Sequence, residues 1–441
     1  MRVLLVSANR EQFPSPVVPI GLLYVAAAAR REHDVRVLDL CFEDDWRGAV
    51  ERELRAHPPD VVGVGLRNLH DNSYGDSEPL LAYYEALGAH IRAYTRAPLV
   101  LGGAAITLQP EGLRARMGAT TAVAGEGERA FLDVLSTIAR GEAPPDVVRS
   151  AAADGIVTSL AKGRALGLAA DLDALPEPAR DLVDPRYYEI EGTDSVQTKR
   201  GCAFACTYCD YPDLEGRKVR ARDPDRVVAE MVARAQAPGV SHVFIVDSVF
   251  NVPRSHALAI CAGLERAGAP IPWVAYVSPA SLDDEVVAAM KRAGCVGAEI
   301  GTDTGSAASL VRLNKPFDLD DVRRVRASFV RHGISDAHTF VLGAEGEGVR
   351  EALETFAFVE ELDPDVAVFI VFMEDREART VGRSAEREAL LDLLRVEAPK
   401  RPGWVVPELD VRFGQKVTRV VRARNLRGPS WVHLARARRS V

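Results

Sequence analysis

Cys202, Cys206 and Cys209 carry the clearest chemistry in the sequence, in the run Lys199-Arg-Gly-Cys202-Ala-Phe-Ala-Cys206-Thr-Tyr-Cys209-Asp. Thiolates spaced C-x3-C-x2-C on one loop are suited to the corners of an iron–sulfur cluster. Three of them would satisfy three irons of a cubane and leave the fourth open to a chelating small molecule. A structural zinc ion usually takes four protein ligands. No further Cys or His lies close by, and the next histidine is His242. The other cysteines, Cys41, Cys261 and Cys295, are scattered. This is the pattern of a cytosolic metal site with separate thiols, not of a disulfide framework.

The elements around this loop read as alternating strands and helices. Strand-like runs at Ser195–Lys199, Val243–Val246, Trp273–Val277, Gly297–Ile300, Ala337–Leu342 and Val366–Phe372 are separated by helical patterns. Six such units predict a partial (β/α)6 barrel over 196–384, with its ligands at the carboxyl ends of the strands. The first part alternates in the same way, with strand-like runs Arg2–Ser7, Val35–Leu40, Val61–Leu66, Leu99–Gly102 and Thr121–Ala124. That predicts a doubly wound, flavodoxin-like or Rossmann-like α/β domain over 1–145. Residues 146–195, rich in Pro, Asp, Ala and Gly, read as a linker. A short α+β segment over 385–441 has one helix, Ala385–Arg395, and two expected strands, Leu409–Phe413 and Val417–Val421. It is expected to close the barrel mouth over the substrate.

The cysteine motif is similar to that of the radical SAM superfamily, and the resemblance covers roughly Val196 to Thr380. It implies a [4Fe–4S] cluster that reductively cleaves S-adenosylmethionine (SAM) to a 5′-deoxyadenosyl radical. It also implies SAM-binding roles for Tyr208 near the adenine, for Asp247 and Ser248 at the amino group, and for Ser278. Glu299-Ile-Gly301-Thr302-Asp303-Thr304-Gly305-Ser306 resembles a family stretch, which makes Glu299 and Asp303 polar candidates for SAM or substrate. The family more often has Glu where Asp303 stands and Ser where Thr304 stands. Met373, Arg376, Trp404 and Trp431 are weaker substrate candidates. Asp336-Ala-His338 lacks the glycine of an axial-histidine signature and lies in the barrel half of the chain.

Residues 1–140 resemble the cobalamin-binding domain that precedes the barrel in one branch of these enzymes. The matching positions are Pro19, Gly21, Arg67, Asn68, His70, Gly102, Gly103, Thr107, Gly125, Glu126 and Gly127. The physical reading agrees with this assignment. Paired glycines after a buried strand let a large ligand reach the backbone, and a helix start suits an anionic group such as the corrin's phosphodiester. Without the axial-histidine signature, the Arg67-Asn68-Leu69-His70 loop is expected to face the cobalt. The alternative is a flavodoxin-like domain that has lost its cofactor.

Together the two resemblances imply C-methylation of an unactivated carbon in a small natural-product intermediate, through methylcobalamin. A non-methylating cyclisation, ring rearrangement or oxidation is the competing reaction. A methylthiotransferase would need extra N-terminal cysteines, and only Cys41 is there. A non-enzymatic cobalamin or metal sensor would have no use for the cysteine loop.

Composition narrows the partners. The net charge is −8 and charged residues make up 27% of the chain, which gives no reason to expect nucleic-acid binding. No run reaches the ~20 apolar residues of a membrane span. The basic C-terminal stretch reads as a solvated tail. A cytoplasmic monomer with a small-molecule substrate and an external flavodoxin- or ferredoxin-type electron donor is expected.

Overall fold

The computed structural model describes all residues except 71–77, 150–155, 162–163, 345, 372–373, 376–379, 382–383, 410–414 and 440–441. Met373 and Arg376 lie outside the described residues. The first sheet has six parallel strands, ordered Asp34–Asp39, Arg2–Ser7, Val61–Gly65, Leu99–Gly102, Thr121–Ala124, Val147–Arg149. It is covered on both faces, as a parallel sheet must be. Alternate strand residues separate accordingly. Leu4, Val6, Val62, Val64 and Leu101 pack under helices Trp46–Ala56 and Glu78–Tyr94, while Val3, Leu5, Val100 and Val123 pack under Ile20–Ala29 and Gly127–Ala139. Strand order reverses between Arg2–Ser7 and Val61–Gly65, and that switch opens a crevice at the carboxyl ends. The sheet runs past residue 145 to Arg149, so part of the expected linker belongs to it.

The second sheet is also parallel and has seven strands. They run Thr193–Val196, His242–Ile245, Trp273–Val277, Cys295–Asp303, Ser335–Leu342, Val366–Val371, Trp404–Val405. The first and last strands do not pair with each other, so the barrel is open. Period-2 alternation again sorts the residues. Val243, Ile245, Ala275 and Ile300 face the helices, while Phe244, Val274, Ala337, Val366, Val368 and Val405 face inward.

Two expectations for the C-terminal segment are corrected. Val417–Val421 lies in a helix, Gln415–Ala423, because its apolar residues recur at helical spacing. The segment also closes the opposite end of the barrel from the one expected. Helix Ser430–Arg439 fills the base, where Trp431, Val432 and Ala435 pack against Val274, Ala337 and Val366. Arg439 donates to the Ile334 carbonyl at 2.9 Å and to Asp365 at 2.9 Å, and Gly428 N–H donates to Glu191 O at 2.9 Å. Ile334 and Asp365 immediately precede barrel strands, and Glu191 is separated from one only by Gly192. Arg438 also pairs with Asp363, so this end of the basic tail is docked, not solvated. An open barrel exposes apolar residues at its base, and an amphipathic helix with terminal arginines covers them.

Candidate active site at two facing sheet edges

The chain leaves strand Thr193–Val196 toward the cysteine loop through Lys199–Arg200, which pairs antiparallel with Arg220–Ala221. Only glycine fits at position 201. Its φ is +93°, and a Cβ there would lie 2.3 Å from Lys218 O. Its N–H donates to Glu215 Oε2 at 2.9 Å. Cys202, Cys206 and Cys209 follow, each partly exposed. Further ties come from the barrel: Thr207 N–H donates to Leu313 O at 3.1 Å and Asn314 Nδ2 to Ala205 O at 3.0 Å.

Burial, with the nearby Cys206 and Cys202, pushes the Cys209 thiol up to about 12. Among the described residues no group of three His, Cys, Asp or Glu side chains is arranged to hold a metal ion. A single ion needs ligands converging on one point. Cysteine thiolates are the usual corner ligands of an iron–sulfur cluster, and all three here are free and partly exposed.

The barrel's polar candidates divide into those built into the walls and those facing the mouth. Asp247, expected at the SAM amino group, bonds to the stem of the cysteine loop. Its carboxylate accepts from Thr198 N (2.7 Å), Thr198 Oγ1 (2.5 Å), Lys199 N (3.2 Å) and Lys199 Nζ (2.8 Å). Lys199 is itself 1% exposed and also donates to Phe250 O at 2.9 Å. The pair braces the stem of the cysteine loop, and the Asp247 carboxylate already accepts four hydrogen bonds there. Asp303, at φ +68°, accepts from Tyr208 Oη and pairs with Lys315. Burial and then Asp303 raise the Tyr208 phenol well above its usual range, so it stays protonated. This trio orients Tyr208 beside Cys209.

Ser248 is partly exposed and its hydroxyl donates to Gly201 O at 3.3 Å. Ser278 is held by Asn251, which accepts from its N–H at 2.9 Å. Glu299 lies deeper in the barrel and accepts from Trp431 Nε1 at 2.9 Å. Burial raises its carboxyl to about 7. Trp404 packs in the core between Phe369 (4.5 Å) and Phe356 (4.8 Å). Trp431 lines the barrel floor instead of the mouth.

On the first sheet's edge the glycines play different parts. Gly103 has φ +102°, and a Cβ there would meet Leu66 O at 2.4 Å, so glycine is needed for folding. A Cβ on Gly102 or Gly21 would meet nothing within 4 Å, and Gly102 ends its strand on open space. Backbone left bare in this way lets a large ligand approach the strand end. Arg67 is exposed, Asn68 and His70 are partly exposed, and Asn68 O accepts from Tyr84 Oη at 2.8 Å. Pro19 starts the helix Ile20–Ala29, and Gly127 approaches Val25.

Thr107 and Glu126, expected as cofactor contacts, are bonded to protein groups. Thr107 Oγ1 donates to Gly103 O (3.1 Å) and accepts from Gly125 N (3.0 Å), which ties two loops together. Glu126 accepts from Ala169 N at 2.6 Å and pairs with Arg200 (3.3 Å) and Arg220 (2.7 Å). Burial alone would raise its carboxyl, but the two arginines hold it below the ordinary range. Sequence reasoning missed Lys199, Arg200, Arg220 and Lys315 as parts of the site. For Lys199, Arg200 and Arg220 the only signal was a run of cations flanking the cysteines, whereas Lys315 lies in the later run Leu313-Asn314-Lys315.

The carboxyl edges of the two sheets therefore meet, with glycine loops on one side and the cysteine loop on the other. Helix Ala104–Leu108, after Gly103, lies beside helix Tyr211–Glu215, after Cys209. Residues 6–135 match the family model described as B12 binding domain, and residues 196–359 match that of the Radical SAM superfamily. An uncharacterized methyltransferase of Pyrococcus horikoshii is 25% identical over 382 residues, covering 84% of this chain and 80% of its own. Tryptophan 2-C-methyltransferase of Streptomyces laurentii is 26% identical over 430 residues, covering 82% and 71%. The structure of the radical SAM methyltransferase TsrM from Kitasatospora setae, with cobalamin and a [4Fe–4S] cluster bound, superposes with a TM-score of 0.79 at 20% identity. The match covers 98% of this chain and 97% of that one.

Proposed function

We propose that this chain, a B12-binding domain joined to a radical SAM domain, is a cobalamin-dependent radical SAM C-methyltransferase acting on a small natural-product intermediate. The observation that carries the reading is the meeting of two sheet edges, one with an open glycine cradle and one with a cysteine trio. When bound, the cluster supplies the electron that splits SAM, and cobalamin carries the methyl group.

Cys202, Cys206 and Cys209 hold the cluster. Tyr208, kept protonated and fixed by Asp303, lies against the adenine, and Ser248 and Ser278 offer hydroxyls to SAM. Gly102, with Gly21 and the Arg67–His70 loop, seats the corrin. Asp247 and Lys199 hold the loop's stem rigid, so that geometry is set before ligands bind. The functional parts follow the boundaries near 145, 195 and 384, with the first sheet extended to Arg149.

Among the described residues the remaining thiols, Cys41, Cys261 and Cys295, are buried and apart from the trio. The electron therefore comes from outside, from a flavodoxin- or ferredoxin-type protein. A monomer working in the reducing cytoplasm is consistent with six free thiols. No described helix is long and apolar enough to cross a membrane.

Anaerobic reconstitution tests the reading, with iron and cobalamin measured by absorbance and SAM products by mass spectrometry. Methylation predicts S-adenosylhomocysteine as well as 5′-deoxyadenosine. 5′-Deoxyadenosine without S-adenosylhomocysteine would favour a non-methylating reaction instead.

A further inference from the structure

Arg200 stands two positions before Cys202, and its side chain reaches across the domain boundary. Its Nη2 donates to Glu128 Oε1 at 2.7 Å, and its Nη1 pairs with Glu126 Oε1 at 3.3 Å. Its Nε turns back to its own domain and donates to Gln197 Oε1 at 2.7 Å. The guanidinium lies 5.2 Å from the ring centroid of Tyr24 in the first domain. Arg220, the antiparallel partner of Arg200, adds a bond to Glu126 Oε2 at 3.0 Å. Arg200 and Glu128 are each 6% exposed and Arg220 5%, so solvent screens these bonds little.

We propose that Arg200, gripped by Glu126 and Glu128, fixes the distance between the corrin seat and the cluster seat, as a positioning residue for methyl transfer. The inference rests on the proposed function. Glu126 adjoins Gly125, and Glu128 is in the first turn of helix Gly127–Ala139 at the crevice. On the other side only Gly201 separates Arg200 from Cys202, and Gly201 is pinned by Lys218 and Glu215. The path from one seat to the other thus contains little slack.

A buried ion network adds little net stability over apolar packing. What it gives is a unique arrangement, and a planar fork donating in three directions supplies one that lysine cannot. Placement within about 1 Å is the scale at which rate changes by about 10²-fold.

The test uses the full chain reconstituted with the cluster and cob(II)alamin, poised so that the cluster is reduced to its paramagnetic state while the cobalt stays cob(II)alamin. Electron paramagnetic resonance reads the dipolar broadening between cobalt and cluster, which reports their separation. Arg200→Lys and Glu128→Gln should each keep both cofactors at wild-type stoichiometry but change the broadening, equivalent to a displacement of about 1 Å or more. Glu128→Gln removes one charge without changing side-chain size, so it decides the matter if Arg200→Lys fails to load. Unchanged broadening in Glu128→Gln, or loss of a cofactor from it, overturns the proposal. A wild type that takes up the cluster but no cobalamin instead sinks the function on which the proposal rests.

Discussion

At the edge of the first sheet the residues next to the strand ends are Gly102, Gly103 and Gly125. At the edge of the second they are Asp247 and Asp303, paired with Lys199 and Lys315, all largely buried. The two edges share a parallel topology and face the same space, yet one leaves bare backbone at Gly102 and Gly103 and keeps its ion pairs to Glu126 and Glu128 at the domain boundary, while the other is filled with ion pairs of its own. The difference matches two kinds of guest. A large flat ligand needs bare backbone, whereas a small reactive cofactor on a loop needs a stem that does not move.

The comparison can be broken most completely at the cysteines. Cys202→Ala should abolish SAM cleavage and cluster absorbance while leaving cobalamin uptake intact. Retained cleavage would end the central assignment.

The next largest effect is expected at the braced stem. Lys199→Met leaves Asp247 buried without its cation and should destabilise the barrel by about 3–5 kcal/mol, measured by denaturant unfolding. An effect below about 1 kcal/mol would mean that the pair is not bracing the loop.

The adjacent glycines sharpen the contrast within one edge. Gly103→Ala should lower stability by about 1 kcal/mol or more, because φ is positive and Leu66 O blocks the Cβ. Gly102→Leu should leave stability within about 0.5 kcal/mol yet prevent cobalamin binding, followed by absorbance of the reconstituted protein. If Gly102→Leu binds cobalamin normally, the cradle has been misplaced.

The smallest effect concerns the barrel floor. Burial raises Glu299 to about 7 from 4.5. A carboxyl raised on folding favours the folded state fully below pH 4.5, and that contribution is lost as pH rises through about 7. Wild type should therefore lose stability relative to Glu299→Gln across that window. Parallel pH–stability curves would show that Glu299 does not titrate there.

Much of this layout is legible in the residues. Near-continuous apolar runs separated by helical patterns gave both sheets, because a parallel strand must be apolar on both faces. Trp404–Val405 escaped as a seventh strand because two residues carry no periodicity. Val417–Val421 read as a strand from its β-branched residues, although their spacing was helical. Asp247 and Glu126 were expected at ligands because they follow strands, where ligands bind. The sequence did not reveal that cations from elsewhere, Lys199 and Arg200, would reach them first.

The sequence by itself determined the cysteine trio, the two βα alternations and the glycines at strand ends, since each depends on neighbours a few positions away. Only the tertiary structure decided that the two edges meet, that Arg200 joins them to Glu126 and Glu128, and that helix Ser430–Arg439 plugs the base of the barrel. Those contacts span dozens to hundreds of residues, and which charges pair across such gaps is set by packing and by the exclusion of water.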